Sequence, residues 1–350
     1  MLCKKWIVEA YLVATLVYVS SVSGIEVGAP IQTISAEEYS SIPVKNFQLD
    51  GPVLMYTASP EKRWVVPVWY KGYGEILHVS LSGQIDHQLD KVNWVKNRNQ
   101  FFRIKKSEPY ANYWIMNVYE AEAGILSFIH MENYGGSGGN GQVGKTRIGL
   151  GWSTNGGETY VFLGVIIIPY ADPENHNLQG IPYFIKDGWF YIFYHDSGGL
   201  TTARAPVAEV ISAAQRGDVS EWFKLTEQGF NSPGLGGVSS RIGIDGISHT
   251  DAACNTNNGK CYLILTKQNW GGGDSWIKIF ETANAITWKF SKTVVNETEV
   301  GLGLGYQYAT IINADGKDNS IIGNTFYIYS GKNYKSSAPS IYRWKVQLDN

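Results

Sequence analysis

Paired apolar segments joined by tight polar turns recur along this chain, and that recurrence constrains its fold more than any other feature. "GPVLMYT" precedes "RWVVPVWY" across Ala58 to Lys62, and "YWIMNVYE" precedes "ILSFIHME" across Ala121 to Gly124. "IPYFIK" and "WFYIFYHD" flank Asp187-Gly188, "DAACNT" and "CYLILTKQ" flank an Asn-Asn-Gly turn, and "YQYATIIN" precedes "NTFYIYSG". β-Branched and aromatic runs broken by Gly, Asn and Asp read as hairpins, here five of them. Several are followed by a third, outer strand, as in "RIGLGWS", "WIKIFET" and "SIYRWKV". The resulting units repeat at about 60 residues, a period that points to blades stacked around an axis, each hiding its faces against its neighbours. The expected fold is all-β, a five-bladed β-propeller with one short peripheral helix. That helix is Ala205 to Asp218, with Pro206 suited to its first turn and Gly217 to its end.

Two turns after outer strands carry a further signal. "STNGGETY", Ser153 to Tyr160, resembles the Asp-box turn S-x-D-x-G-x-T-W, with Asn155 and Tyr160 in place of its Asp and Trp. "TANAITW", Thr282 to Trp288, is a shorter variant in the fourth unit. Such a turn is structural, because a polar side chain caps it while the aromatic packs between strands.

The chain opens "MLCKKWIVEAYLVATLVYVSSVSG", where Lys4 and Lys5 precede an apolar run and small residues come after it. This is the pattern of a secretory signal peptide, expected over residues 1–24. An N-terminal arm over 25–43 and a propeller domain over 44–350 complete the expected organisation, and the location is extracellular. The apolar run carries Glu9 and falls short of the ~20 clean residues of a spanning helix, so no membrane domain is expected. Cys254 and Cys261, in "CNTNNGKC", are expected to form a cross-hairpin disulfide, as an oxidising compartment permits. A pair of metal ligands is the alternative, but no further Cys and no spaced His pair accompany them. Asn296 in "NET" matches the glycosylation pattern. Net charge is −2, with no basic run, which excludes a nucleic-acid partner.

"GNGQVGKT", Gly139 to Thr146, satisfies the phosphate-loop pattern G-x-x-x-x-G-K-[ST]. A phosphate cradle needs a helix N-terminus after the loop. Thr146 instead leads into "RIGLGWSTNGG", whose glycines read as strand and turn. Nucleotide binding is therefore not expected, and Gly135 to Gly144 reads as a mobile flap after Glu132.

In a hairpin, the start of the first strand and the end of the second lie at one end. Applied to each unit, this rule gathers Asp50 and Trp69 from the first and His130 and Glu132 from the second. It adds Gln179, His195 and Asp196 from the third, His249, Asp251, Gln268 and Trp270 from the fourth, and Tyr306 and Gln307 from the fifth. Carboxylates beside aromatic platforms describe a carbohydrate site, in which one carboxyl protonates the leaving oxygen and another activates water or attacks. Each has a structural alternative: Asp50 in a turn, Glu132 at a solvated strand end, Asp196 capping a turn, Asp251 bonding local backbone. The histidines serve equally as satisfied core groups, and Trp69, Trp270 and Tyr306 as packing between blades.

The arrangement resembles the five-bladed β-propeller glycoside hydrolases, the group of arabinanases, β-xylosidases, arabinofuranosidases and anhydrogalactosidases. The resemblance covers roughly Val44 to Leu348. An Asp opening the innermost strand of the first blade is matched by Asp50 in "QLDGPVL", which the resemblance implies to be the general base. Further acids of the family open the innermost strands of the second and third blades, where this chain has Asn112-Tyr113 and Gln179. Glu132 and Asp196 are the nearest substitutes for the general acid, Asp251 a candidate for orienting or tuning, and His195 and His249 stay open as acids. Some members hold calcium in the central channel, which this sequence neither supports nor excludes; no cofactor is required by the expected chemistry. The implied activity is hydrolysis of a plant or algal polysaccharide or its oligosaccharides by acid/base catalysis, with inversion. A non-catalytic, lectin-like glycan-binding propeller is the alternative. Sialidase-like chemistry needs an arginine cluster for a substrate carboxylate, whereas Arg147, Arg204, Arg241 and Arg343 fall in outer strands or loops.

Overall fold

The computed structural model describes residues 24–35, 48–49, 51–52, 54–56, 63–69, 76–82, 84–86, 91–93, 100–105, 112–132, 146–157, 159–170, 180–196, 199–244, 248–267, 272–314, 320–333 and 339–349. For residues 54–105 the description is of the backbone. The N-terminal segment gives β1 (Ile25–Val27) and β2 (Ile31–Ile34). The first unit comes next, with β3 (Gln48–Leu49), β4 (Leu54–Tyr56), β5 (Arg63–Trp69), β6 (Ile76–Ser82), a small ribbon of β7 (Gln84–Asp86) and β8 (Lys91–Asn93), and β9 (Gln100–Lys105). The second holds β10 (Asn112–Ala121), β11 (Gly124–Glu132), β12 (Arg147–Ser153) and β13 (Thr159–Ile167). The third holds β14 (Tyr183–Lys186), β15 (Trp189–Asp196), β16 (Gly199–Pro206), helix α1 (Val207–Gln215), β17 (Phe223–Thr226) and β18 (Gly229–Pro233). The fourth holds β19 (Ser248–Asn255), β20 (Cys261–Lys267), β21 (Gly273–Thr282) and β22 (Lys289–Val300). The last holds β23 (Tyr306–Asn313), β24 (Ile321–Ile322), β25 (Thr325–Lys332) and β26 (Ser340–Leu348).

All five hairpins form, and all are antiparallel. The β14–β15 turn shows why: Asp187 and Gly188 both have positive φ, 52° and 79°, the conformation whose twist matches the flanking strands. Cys254 and Cys261 face each other across β19 and β20 and are disulfide-bonded. Both outer turns are built as the motif requires. Asn155 Oδ1 accepts the Thr159 amide at 3.0 Å, and Asn284 Oδ1 accepts the Thr287 amide at 2.9 Å. The aromatic of each is placed in a core, with Tyr160 fully buried and Trp288 against Phe184 and Phe193.

The fold is all-β with a propeller-like arrangement of sheets and α1 as the one helix among the described residues. The helix is shorter than the expected 205–218, because β16 runs on to Pro206, whose extended ψ of 129° starts the helix only at Val207. Five separate blades were expected, whereas the described residues form four large sheets. The difference has a local cause. The outermost strands of the first two units pair in parallel, Thr159 opposite Arg103 to Val161 opposite Lys105, which fuses both units into one nine-stranded sheet. Exposed outer edges with unpaired N–H and C=O groups invite such pairing. Residues 25–34, expected as an arm, add to the last sheet: β1 and β2 both pair with β26. An early segment thus completes a sheet made by the chain's last strands.

Apolar seams hold neighbouring units together. Between the second and third units, Leu126, Phe128 and Leu150 meet Tyr183, Phe190, Ile192 and Trp222, with Phe128 and Tyr183 rings 4.9 Å apart. Phe184, Tyr191 and Phe193 meet Leu263 and Leu265 between third and fourth, and Ile264 and Ile277 meet Ile311, Ile328 and Trp344 between fourth and last. Large rings fill the wedge between twisted sheets at low conformational cost, which accounts for the aromatic content of 13%.

Gly149 and Gly151 are strand residues of β12 and lie at close approaches. A Cβ on Gly149 would meet the Phe162 ring at 2.5 Å and the Gly164 carbonyl oxygen at 2.9 Å. Gly149→Ala is expected to lower unfolding free energy by about 1–3 kcal/mol, the usual cost of overpacking. Gly323→Ala, where a Cβ meets open space, is expected to stay within about 0.5 kcal/mol of the parent. Equilibrium denaturation of both variants checks the pair.

Candidate functional site

Within each hairpin, the pairing register defines an open end. Asn112 lies opposite Glu132, Ser248 opposite Thr266, and Tyr306 opposite Lys332, while the connecting turns lie at the far ends. Glu132, Asp196, His249 and Tyr306 therefore sit at the open ends of their hairpins, as the antiparallel rule requires. Asp50, Gln179, Gln268 and Trp270 lie outside the described residues, as do residues 133–145 of the glycine loop. Trp69, Glu132 and His249 are placed by backbone alone: Trp69 and Glu132 end β5 and β11, and His249 falls where the β19–β20 register slips between Ser248 and Thr250. Thr146 is followed directly by strand β12, not by the helix that a phosphate cradle uses.

Asp196 is enclosed. Its side chain and that of Lys224 have no solvent exposure, and Lys224 Nζ lies 3.0 Å from Asp196 Oδ2. Lys224 also donates to the Ile168 and Gly237 carbonyls at 2.7 and 2.8 Å, while Ser239 Oγ donates to Asp196 Oδ2 at 2.8 Å. The group joins β15, β17, the end of the second unit and the 234–244 loop. Burial pushes the Lys224 amine down, and Asp196 opposes the shift. Burial together with Asp196 pushes the neighbouring Tyr194 phenol well up. The pair is fully enclosed, and breaking it by removing one partner is strongly destabilising because it leaves an uncompensated buried charge.

Asp251 is buried on the innermost strand of the fourth unit. Its Oδ1 accepts Asn117 Nδ2 and the Ala252 amide, both at 2.9 Å, and its Oδ2 accepts the Ile311 amide at 2.7 Å. Asn117 belongs to the second unit and Ile311 to the last, so one carboxylate ties the innermost strands of three units. These donors are N–H groups, which complete a carboxylate rather than the oxygen shell that calcium takes. Among the described residues, no group of three or more His, Cys, Asp or Glu is placed to hold a metal ion.

His195 points to the opposite face of β15 from Asp196. Burial holds its imidazole down to about 4, and its Nε2 is a buried atom without a hydrogen-bond partner. The ring is thus neutral in the folded chain and takes up a proton near 6.5 once unfolded. Its contribution to stability is complete above about pH 6.5 and is lost as pH falls toward about 4, a total of about 3 kcal/mol. Unfolding free energies at pH 7 and pH 4.5 are expected to differ by roughly 2–3 kcal/mol less in His195→Gln than in the parent. An identical acid loss in both proteins would remove His195 as its source.

His130 is buried between the strands of the second unit. Tyr306 and Gln307 are buried too, and Tyr306 packs edge-on against Trp344 with centroids 5.0 Å apart. Lys332 lies 4.4 Å above the Tyr306 ring and pairs with Glu297. Four partner residues carry no explicit expectation in the sequence: Lys224, Asn117, Glu297 and Lys332. Lys224 in "FKLT" and Asn117 in "WIMNVYE" did carry a signal, since a polar residue inside an apolar strand demands a buried partner.

No family model matches the chain, and no curated protein matches it. Among solved structures, the chain is similar to the catalytic domain of a GH62 α-L-arabinofuranosidase from Coprinopsis cinerea, at 10% identity and a TM-score of 0.49, over 93% of this chain and 97% of that one. It is similar to an exo-β-1,3-galactanase from Phanerochaete chrysosporium at 10% identity and a TM-score of 0.49, over 91% and 64%. A levansucrase from B. megaterium gives 12% identity and a TM-score of 0.49, over 93% and 83%. Likeness at this level assigns no activity, and the functional reading rests on the residues of this chain.

Proposed function

We propose that this protein is an exported glycoside hydrolase that cleaves a plant or algal polysaccharide, or its oligosaccharides, at the open ends of its hairpins. The supporting observation is that the register within each hairpin puts Glu132, His249 and Tyr306 at the open end of its own unit. The nine-stranded sheet counts as two blades fused at their outer strands, which gives five blades around one axis. In this reading Asp50 is the base that activates water and Glu132 the acid that protonates the leaving oxygen, with inversion at the anomeric carbon. Asp196 and Asp251, engaged by Lys224 and Asn117, hold the frame on which those two are mounted. Trp69, Gln179, His249, Gln268 and Trp270 are the proposed sugar contacts.

The enclosure of Asp196 and Asp251 also favours a second reading, a propeller that binds glycans without cleaving them. Incubation with a panel of plant and algal polysaccharides, then chromatography of soluble products, separates the two. Released oligosaccharides from at least one polymer support the hydrolase. Retention on an immobilised polymer with no released sugar supports the binding module, and neither result on any polymer removes both.

A further inference from the structure

We propose that Asn296 is a modification site, the acceptor of an N-linked glycan on the exposed outermost strand of the fourth unit. The sequence holds one Asn-x-Ser/Thr triplet, Asn296-Glu297-Thr298. It lies within β22, the terminal strand of its sheet, so no further strand covers it in that sheet. Alternate residues of a strand point to opposite faces. The middle residue, Glu297, is half-buried and turns inward to an ion pair with Lys332 of the last unit. That contact fixes the strand's rotation and leaves Asn296 and Thr298 exposed on either side of it. Amide and hydroxyl are therefore presented together on one side of an extended segment.

The sequence of β22 gives the site a physical purpose. Edge strands need protection from pairing with other chains, and lysine is a common means. Lys289 and Lys292 guard the first half of β22, whereas the second half, "VVNETEV", carries no lysine. A bulky, hydrated glycan at Asn296 protects that half by steric exclusion. The donor is an oligosaccharide linked to a lipid pyrophosphate. The bond from its anomeric carbon to the pyrophosphate oxygen breaks, a bond from that carbon to Asn296 Nδ2 forms, the amide loses one proton, and the lipid pyrophosphate leaves with the electron pair.

The test is export of the full chain from a eukaryotic secretory host, and then treatment with peptide N-glycosidase in heavy-oxygen water. The expected result is a mass loss on treatment and conversion of residue 296 alone to heavy-labelled Asp. Thr298→Ala is expected to abolish occupancy with Asn296 itself intact. An exported wild-type chain whose mass the glycosidase leaves unchanged overturns the proposal, as does a label at another asparagine. The wild-type mapping decides by itself should the variant not be secreted.

Discussion

Asp251→Asn is expected to cost about 3–5 kcal/mol of unfolding free energy, the range for breaking a buried charged network by altering one member. The carboxylate accepts three N–H donors, from Asn117, Ala252 and Ile311. An amide in its place keeps one oxygen and turns an NH2 group toward a donor, either Ile311 N–H or the pair on the other side. Two donors then face each other in a site that water does not reach, and an unsatisfied buried donor costs about 1–3 kcal/mol in addition to the lost charge-assisted bonds. The loss reaches beyond one strand because the three donors come from three units. Asn117→Ala removes the bond to Asp251 together with the one that its Oδ1 accepts from the Val118 amide, and is expected to cost about 1–3 kcal/mol. The double variant should cost less than the sum of the two, since both act on one contact. Denaturant unfolding of the four proteins measures the coupling. An Asp251→Asn protein within about 0.5 kcal/mol of the parent would show that the innermost strands are held by apolar packing alone.

That carboxylate also marks the limit of what the chain reveals before folding. "DAAC" places an acid in an apolar strand, which signals a polar atom facing inward but not what it faces. Catalysis and internal bonding ask for the same pattern, so Asp251 read equally as either. The partners are remote: Asn117 is 134 residues away and Ile311 is 60 away. Asp196 poses the same problem, with Lys224 on the second strand after its own. Hairpins, by contrast, were legible because their information is local. Turn residues with positive φ, such as Asp187 and Gly188, and the apolar runs on either side fix strand and register together. The outer turns at Asn155 and Asn284 were legible for the same reason. Pairing of β9 with β13 and of β1 and β2 with β26 left no local trace, because backbone edges pair without a sequence code. The end of β16 at Pro206 shows the smaller error of this kind: proline is compatible with strand end and helix start alike.

In the proposed reaction, a glycosidic bond is cleaved at the open ends of the hairpins with Asp50 as the base. Asp50→Asn keeps the size of the side chain and removes its basicity, so loss of the base is expected to lower turnover by about 10²–10⁴-fold. The decisive measurement is kcat of Asp50→Asn on whichever polysaccharide the parent degrades, with thermal unfolding of both proteins recorded in parallel. A fall of that size at an unchanged midpoint is the expected result; turnover equal to the parent's in a fully folded variant would contradict the account.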